Sequence, residues 1–158
     1  MSLIVASEHV QCPPQDADTY LDYYLSNLMA GDGTFEFDLR VPAPAHLFEV
    51  EKRVVAKVAF VRDLGGRNQL IRLDWHAKGG GPFPVFEGTL STTDDDAATG
   101  TVIALSGQYA APGGAAGQLF DDALGYRIAR ASVRELLERV RDGMEAQFLG
   151  LQTRSAAL

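Results

Sequence analysis

Cysteine is almost missing from this chain. Cys12 stands alone among 158 residues, which excludes an internal disulfide and any multi-cysteine metal site. Basic charge is in deficit as well: Lys and Arg number 14 against 21 acidic residues, for a net charge of -7. The arginines far outnumber the lysines but are scattered, so no basic patch forms. Nucleic acid and anionic membrane surfaces both need a cationic face and are disfavoured as partners. No run approaches the ~20 apolar residues of a membrane helix. Residues 1–10 lack the basic start and long apolar stretch of a secretory leader. His9, His46 and His76 do not fall at metal-ligand spacing, and each reads as a surface residue. No repeat, linker or low-complexity tract marks a boundary. The expectation is a single soluble, cytoplasmic domain over 1–158 with no cofactor.

What is present is apolar periodicity. The hydrophobic content of 46% with 22% charged residues is that of a globular chain long enough to bury a core without staples. The strongest signal is at the end. Phe120, Leu124, Ile128, Leu136, Val140, Met144 and Phe148 recur at multiples of four, and Val133 and Leu137 widen the stripe. Such steps hold side chains on one helical face. Ser132 is the polar turn in this stripe, and Gly125 suggests close packing against a strand or a ligand. Asp121 and Asp122 near the start, with Arg139 and Arg141 near the end, suit the helix macrodipole.

The rest alternates. Leu3 to Val10 reads as a first strand, stopped by Pro13 and Pro14. Gln15 to Met29 reads as a helix, with Asp16 or Asp18 as its cap and Gly31-Asp32-Gly33 as the closing turn. Strands follow over Phe35–Val41, Phe48–Val61, Ile71–Ala77, Phe86–Ser91 and Thr101–Tyr109. Lys52 falls on the apolar parity of its strand, which predicts a bulge or frayed end. Asp63–Arg67, Lys78–Pro82 and Thr93–Gly100 read as turns. Each strand has one apolar face, so one side of the sheet is covered and the other wet. The fold class is therefore α+β: a curved antiparallel sheet of about six to seven strands gripping a long C-terminal helix.

Two segments carry a family resemblance. Phe83-Pro-Val-Phe-Glu-Gly-Thr-Leu90 is one. The other is Leu105-Ser-Gly-Gln-Tyr-Ala-Ala-Pro112, followed by a glycine-rich turn and Asp121-Asp-Ala-Leu-Gly-Tyr-Arg-Ile-Ala129. With the element order over nearly the whole chain, these resemble the START-like, or SRPBCC, superfamily, in an uncharacterised bacterial branch. That superfamily includes the birch-pollen-allergen fold and polyketide cyclases. The resemblance implies a helix-grip fold with a cavity between sheet and C-terminal helix, often holding lipids, polyketides or steroids. It transfers no catalytic set. The family usually has two short helices where this chain has one longer segment, so a break is expected within Gln15–Met29.

Inward parity nominates Leu73, Trp75, Phe86, Leu105 and Tyr109 as ligand-facing residues of the sheet, with Leu124 and Ile128 opposite them. The same residues in a dry core would show the same periodicity. Gly88 and Gly107, on that parity, indicate sheet curvature or close approach of another backbone. Gly113–Gly117 lacks the Gly-Lys-Ser/Thr ending of a phosphate cradle and reads as a turn. Cys12 reads as an inert small hydrophobe. Three functions follow: a binding protein for an apolar or aromatic small molecule, a cyclase- or dehydratase-type enzyme using Tyr109, Tyr126 and Arg127, or an interaction module forming a homodimer through the sheet.

Overall fold

The computed structural model describes residues 2–42, 49–61, 70–80, 83–97, 99–110 and 122–156, with backbone alone for 40–42, 49–50, 122–124, 152–153 and 155. The turn expected at Asp63–Arg67, the loop 113–117, His46, Phe120, Asp121 and the side chain of Leu124 lie outside what is described. The element order is β1 (Ser2–Val10), α1 (Pro14–Leu28), β2 (Thr34–Pro42), β3 (Glu49–Val61), β4 (Leu70–Ala77), β5 (Val85–Asp94), β6 (Thr101–Ala110) and α2 (Asp122–Ala156).

The strands form one six-stranded sheet in the order β1-β6-β5-β4-β3-β2, with every neighbouring pair antiparallel. β2 to β6 is therefore a meander, and β1 closes it beside β6. Alternation fixes which side faces in. Ile71, Leu73, Trp75 and Ala77 are buried, whereas Arg72 and His76 between them are exposed. β3 shows no bulge. Its pairing with β2 runs without interruption from Pro42↔Glu49 to Thr34↔Lys57, and Lys52 sits half-buried opposite Leu39. A lysine stem can cover apolar surface while its ammonium stays wet, so the parity conflict needs no extra residue.

α1 starts at Pro14, where the fixed φ suits a first helical residue. Neither expected aspartate caps it: Pro13 holds the N-cap position with no side-chain cap, and Asp16 lies in the first turn. Asp18 serves elsewhere, accepting a 2.5 Å hydrogen bond from the Thr92 hydroxyl on β5. α1 is also unbroken over its 15 residues, contrary to the expected interruption, and buries Ala17, Leu21 and Leu25. The turn after it uses Gly33 at φ 77° and Asp32, which accepts from both the amide and the hydroxyl of Thr34. Those bonds hold the Asp32 carboxyl below its ordinary pKa.

α2 runs 35 residues and closes the concave side of the sheet. Ile128, Ala129, Val133, Leu136, Leu137, Val140 and Met144 are buried along it. Ser132 is buried as well, its hydroxyl satisfied by the Ile128 carbonyl at 2.9 Å. The helix backbone comes nearest to β1, β2 and β6, and to α1. Both free edges of the sheet are tied to it. Arg139 Nη2 donates to the Asp38 carbonyl of β2 at 2.6 Å. Arg141 Nη1 donates to Glu8 of β1 at 2.9 Å. These arginines are mid-helix, not at its end, so their expected role as macrodipole partners is replaced by clasping the two edges; the basic residue of the last turn is Arg154.

Candidate functional site

The antiparallel register places side chains of the concave face in rows. One row crosses five strands: Phe35, Ala56, Trp75, Phe86 and Tyr109. The next contains Val58, Leu73, Gly88, Gly107 and Ile4. Trp75 and Phe86 stack with ring centroids 4.1 Å apart and planes 17° off parallel. Phe37 meets Trp75 edge-on at 6.3 Å. An aromatic pair of this kind contributes about 0.5–1.5 kcal/mol beyond its buried area.

The paired glycines explain how the ring of Phe86 lies down. A Cβ added at Gly88 would sit 2.5 Å from Cε1 of Phe86, and one at Gly107 would sit 2.6 Å from its Cζ. The same Cβ at Gly107 would also collide with the Glu87 carbonyl oxygen. Close approach is thus met at both glycines, by the Phe86 ring and by the adjoining strand, within a sheet that is also curved.

Of the seven expected ligand-facing residues, Leu73, Trp75, Phe86, Leu105, Tyr109 and Ile128 fall in one buried cluster, each at most 7% exposed. Leu124 lies in the first turns of α2, its side chain undescribed. Gly125 beside it is buried. Tyr126 lies 6.4 Å from Tyr109, ring to ring, and is 38% exposed, so the aromatic row reaches the surface there. Arg127, the third residue of the enzyme reading, is exposed.

Four grooves on the described surface, of about 370–460 Å³, are lined by other residues. One lies on the outer sheet face over Arg72, Asp74, Glu87 and Gln108. A second holds His9, Cys12, Asp95 and Phe148. Cys12 there is buried and bonded to the Thr101 hydroxyl at 3.6 Å. Burial pushes its thiol above the ordinary pKa, which disfavours the thiolate. A third is lined by Tyr24, Phe37, Asp38 and Arg139. The fourth runs between α1 and the end of α2. Among the described residues, no group of three or more His, Cys, Asp and Glu is placed to hold a metal, and no helix is long and apolar enough to cross a membrane.

Local sequence patterns missed the contact between α1 and α2. Tyr24 lies so close to Gly143 that a Cβ there would overlap its ring. A glycine inside a helical stripe was the available signal.

No family model and no curated protein matches the chain. Solved structures do. TTHA0849 from Thermus thermophilus superposes with a TM-score of 0.52 at 16% identity, over 92% of this chain and 99% of that one. A conserved protein from Geobacillus kaustophilus superposes with a TM-score of 0.54 at 14% identity, over 90% and 95%. At these identities the likeness establishes the fold alone: a curved antiparallel sheet around a long C-terminal helix.

Proposed function

We propose that this chain is a START-like binding protein that holds an apolar or aromatic small molecule between the middle strands and α2. The observation that carries the reading is the aromatic row. Trp75, Phe86 and Tyr109 line the concave face and lead to Tyr126 at the surface. α2 comes nearest to the two edge strands and β6, so the middle of the sheet meets it through side chains. A ligand there displaces ring–ring contacts and replaces them with its own. Tyrosines at the outer end give a polar handle to an otherwise apolar wall.

Trp75 is the single tryptophan and reports directly. Titration with an environment-sensitive aromatic dye should quench or shift its emission. Displacement by apolar competitors should restore it, and native mass spectrometry should detect a co-purified small molecule. Flat Trp75 emission across a panel of dyes, fatty acids and polyketide-like aromatics, with no bound mass, would overturn the reading.

A further inference from the structure

The groove of about 370 Å³ where β2, the end of α1 and α2 meet differs from the other three in its floor. Its apolar lining is Tyr24, Leu28, Phe35, Phe37 and Leu136, and Arg139 lines it as well. Phe35, Phe37 and Leu136 are at most 8% exposed, so the groove ends on the core itself.

That floor is continuous with the aromatic row. Phe37 packs on Phe35 at 5.4 Å and meets Trp75 edge-on at 6.3 Å. Phe37 is thus the ring that both lines the groove and touches the indole. In the sheet register Ala56 stands between Phe35 and Trp75, and Val54 between Phe37 and Ala77. The sheet itself puts only short side chains between the groove wall and Trp75.

Arg139 holds that ring from the solvent side. Its guanidinium lies over Phe37, 5.9 Å from the ring centre. Its Nη2 donates to the Asp38 carbonyl at 2.6 Å and to Glu135 Oε1 at 2.8 Å. Asp38 follows Phe37 in β2, so one group is bonded to the backbone beside the ring and covers its face. Burial raises the Tyr24 pKa and the Arg139 charge opposes the rise, which puts the guanidinium near the α1 wall too. The Arg139 side chain is 41% exposed, so water competes for these bonds. Releasing them takes a change of side-chain rotamer, not the unfolding of β2 or α2.

Trp75, Phe86 and Tyr109 are at most 4% exposed, so a molecule that reaches them from water needs an opening. On the reading that the row takes a ligand, we propose that this groove is the entrance, at the opposite end of the row from Tyr126. The Phe37 ring is its door and Arg139 its latch. The structure is the closed state. When Arg139 lets go of the Asp38 carbonyl, the ring turns aside and an apolar molecule passes to Trp75.

Acrylamide quenching of Trp75 in the full chain, well below the unfolding transition, tests the latch without any ligand. Trp75 is the single tryptophan and is 2% exposed, so the quencher must enter to meet it. Arg139→Met keeps the stem and drops the bonds. It should raise the quenching rate constant about fivefold, the gain in open population when one net hydrogen bond is lost. Phe37→Ala should raise it at least as much. Arg141→Met, which releases the other clasp to Glu8 of β1, should leave it at the parental value. Stopped-flow mixing with an environment-sensitive aromatic dye should show Arg139→Met speeding entry and release by one common factor, with Kd unchanged. Quenching that responds to Arg139→Met while no dye binds keeps the entrance and removes the ligand reading. Unchanged quenching in Arg139→Met, or an equal rise in Arg141→Met, would overturn the proposal, as would dye entry at the parental rate in Arg139→Met.

Discussion

Two glycines two turns apart in α2 should answer the same substitution with opposite signs. Alanine in place of an interior helical glycine gains about 1 kcal/mol from the smaller loss of backbone freedom. At Gly150 nothing within 4 Å opposes the added methyl, so Gly150→Ala should gain up to about 1 kcal/mol, reduced by fraying near the helix end. At Gly143 the methyl would lie 2.6 Å from Cζ of Tyr24 and closer still to Cδ2 and Cε2. The ring must move, and it is half-buried against the core. Overpacking of this kind costs about 1–3 kcal/mol, which outweighs or cancels the helical gain. For a chain of this size about 1 kcal/mol moves Tm by roughly 2–4 °C. Thermal and urea unfolding should therefore separate the two variants by several degrees, Gly150→Ala above the parent and Gly143→Ala at or below it. The double variant Tyr24→Ala/Gly143→Ala removes the obstruction. In the Tyr24→Ala background, alanine at 143 should become stabilising. If Gly143→Ala and Gly150→Ala raise Tm equally, or if Gly143→Ala still destabilises without the Tyr24 ring, the close approach of α1 to α2 is refuted.

Other perturbations probe the sheet and its clasps. Gly107→Ala should destabilise by about 1–3 kcal/mol or more in urea unfolding, since its methyl meets the Glu87 carbonyl and Gly88 Cα, backbone atoms that cannot rotate away. Arg139→Ala should cost about 1 kcal/mol, because it removes the bond to the Asp38 carbonyl and strips the stem from the Phe37 ring, 5.9 Å from the guanidinium. Arg53→Ala, which breaks only the exposed pair with Asp38, should change little. Asp95 accepts from the amide of Thr99 and is held below its ordinary pKa mainly by that bond. Its contribution is thus present above the unfolded-state value and is lost as pH falls through the lower folded value. Asp95→Asn should flatten the acid limb of the Tm–pH profile below about pH 4 and leave the neutral slope unchanged.

The strands were legible because alternation is local: Ile71, Leu73, Trp75 and Ala77 declare their face within eight residues. The helical stripe was legible up to Phe148 for the same reason. Beyond it Leu149 and Leu151 are 60% and 48% exposed, so a hydrophobicity pattern gives no warning that the helix continues to Ala156. Arg139 and Arg141 were misread in consequence. Judged against a helix ending near Phe148, they looked like terminal charges; their partners, Asp38 and Glu8, are brought near only by closure of the sheet. Asp18 failed as a cap for a similar reason: Thr92, remote in sequence, offers a donor that a local reading cannot see. The seven residues expected to face a ligand came from strand parity and the helical stripe, and six of them fall in one buried cluster. Whether a wall of that cluster opens to a ligand depends on ring packing, which periodicity does not encode.

Length explains why α2 takes part in two different surfaces. β1, β2 and β6, the strands it comes nearest to, have 9, 9 and 10 residues and so span about 30–34 Å. The 35 residues of α2 span about 50 Å. No single strand can cover such a helix, and its far portion needs another neighbour. α1 is that neighbour, running antiparallel so that Tyr24 lies at Gly143 and Tyr20 at Phe148. One helix of 15 residues shields only one flank, which leaves Leu149 and Leu151 in water. The concave-face aromatics and the α1/α2 groove are thus separate consequences of one mismatch in length. A substitution that fills the groove at Gly150 should leave the environment of Trp75 untouched.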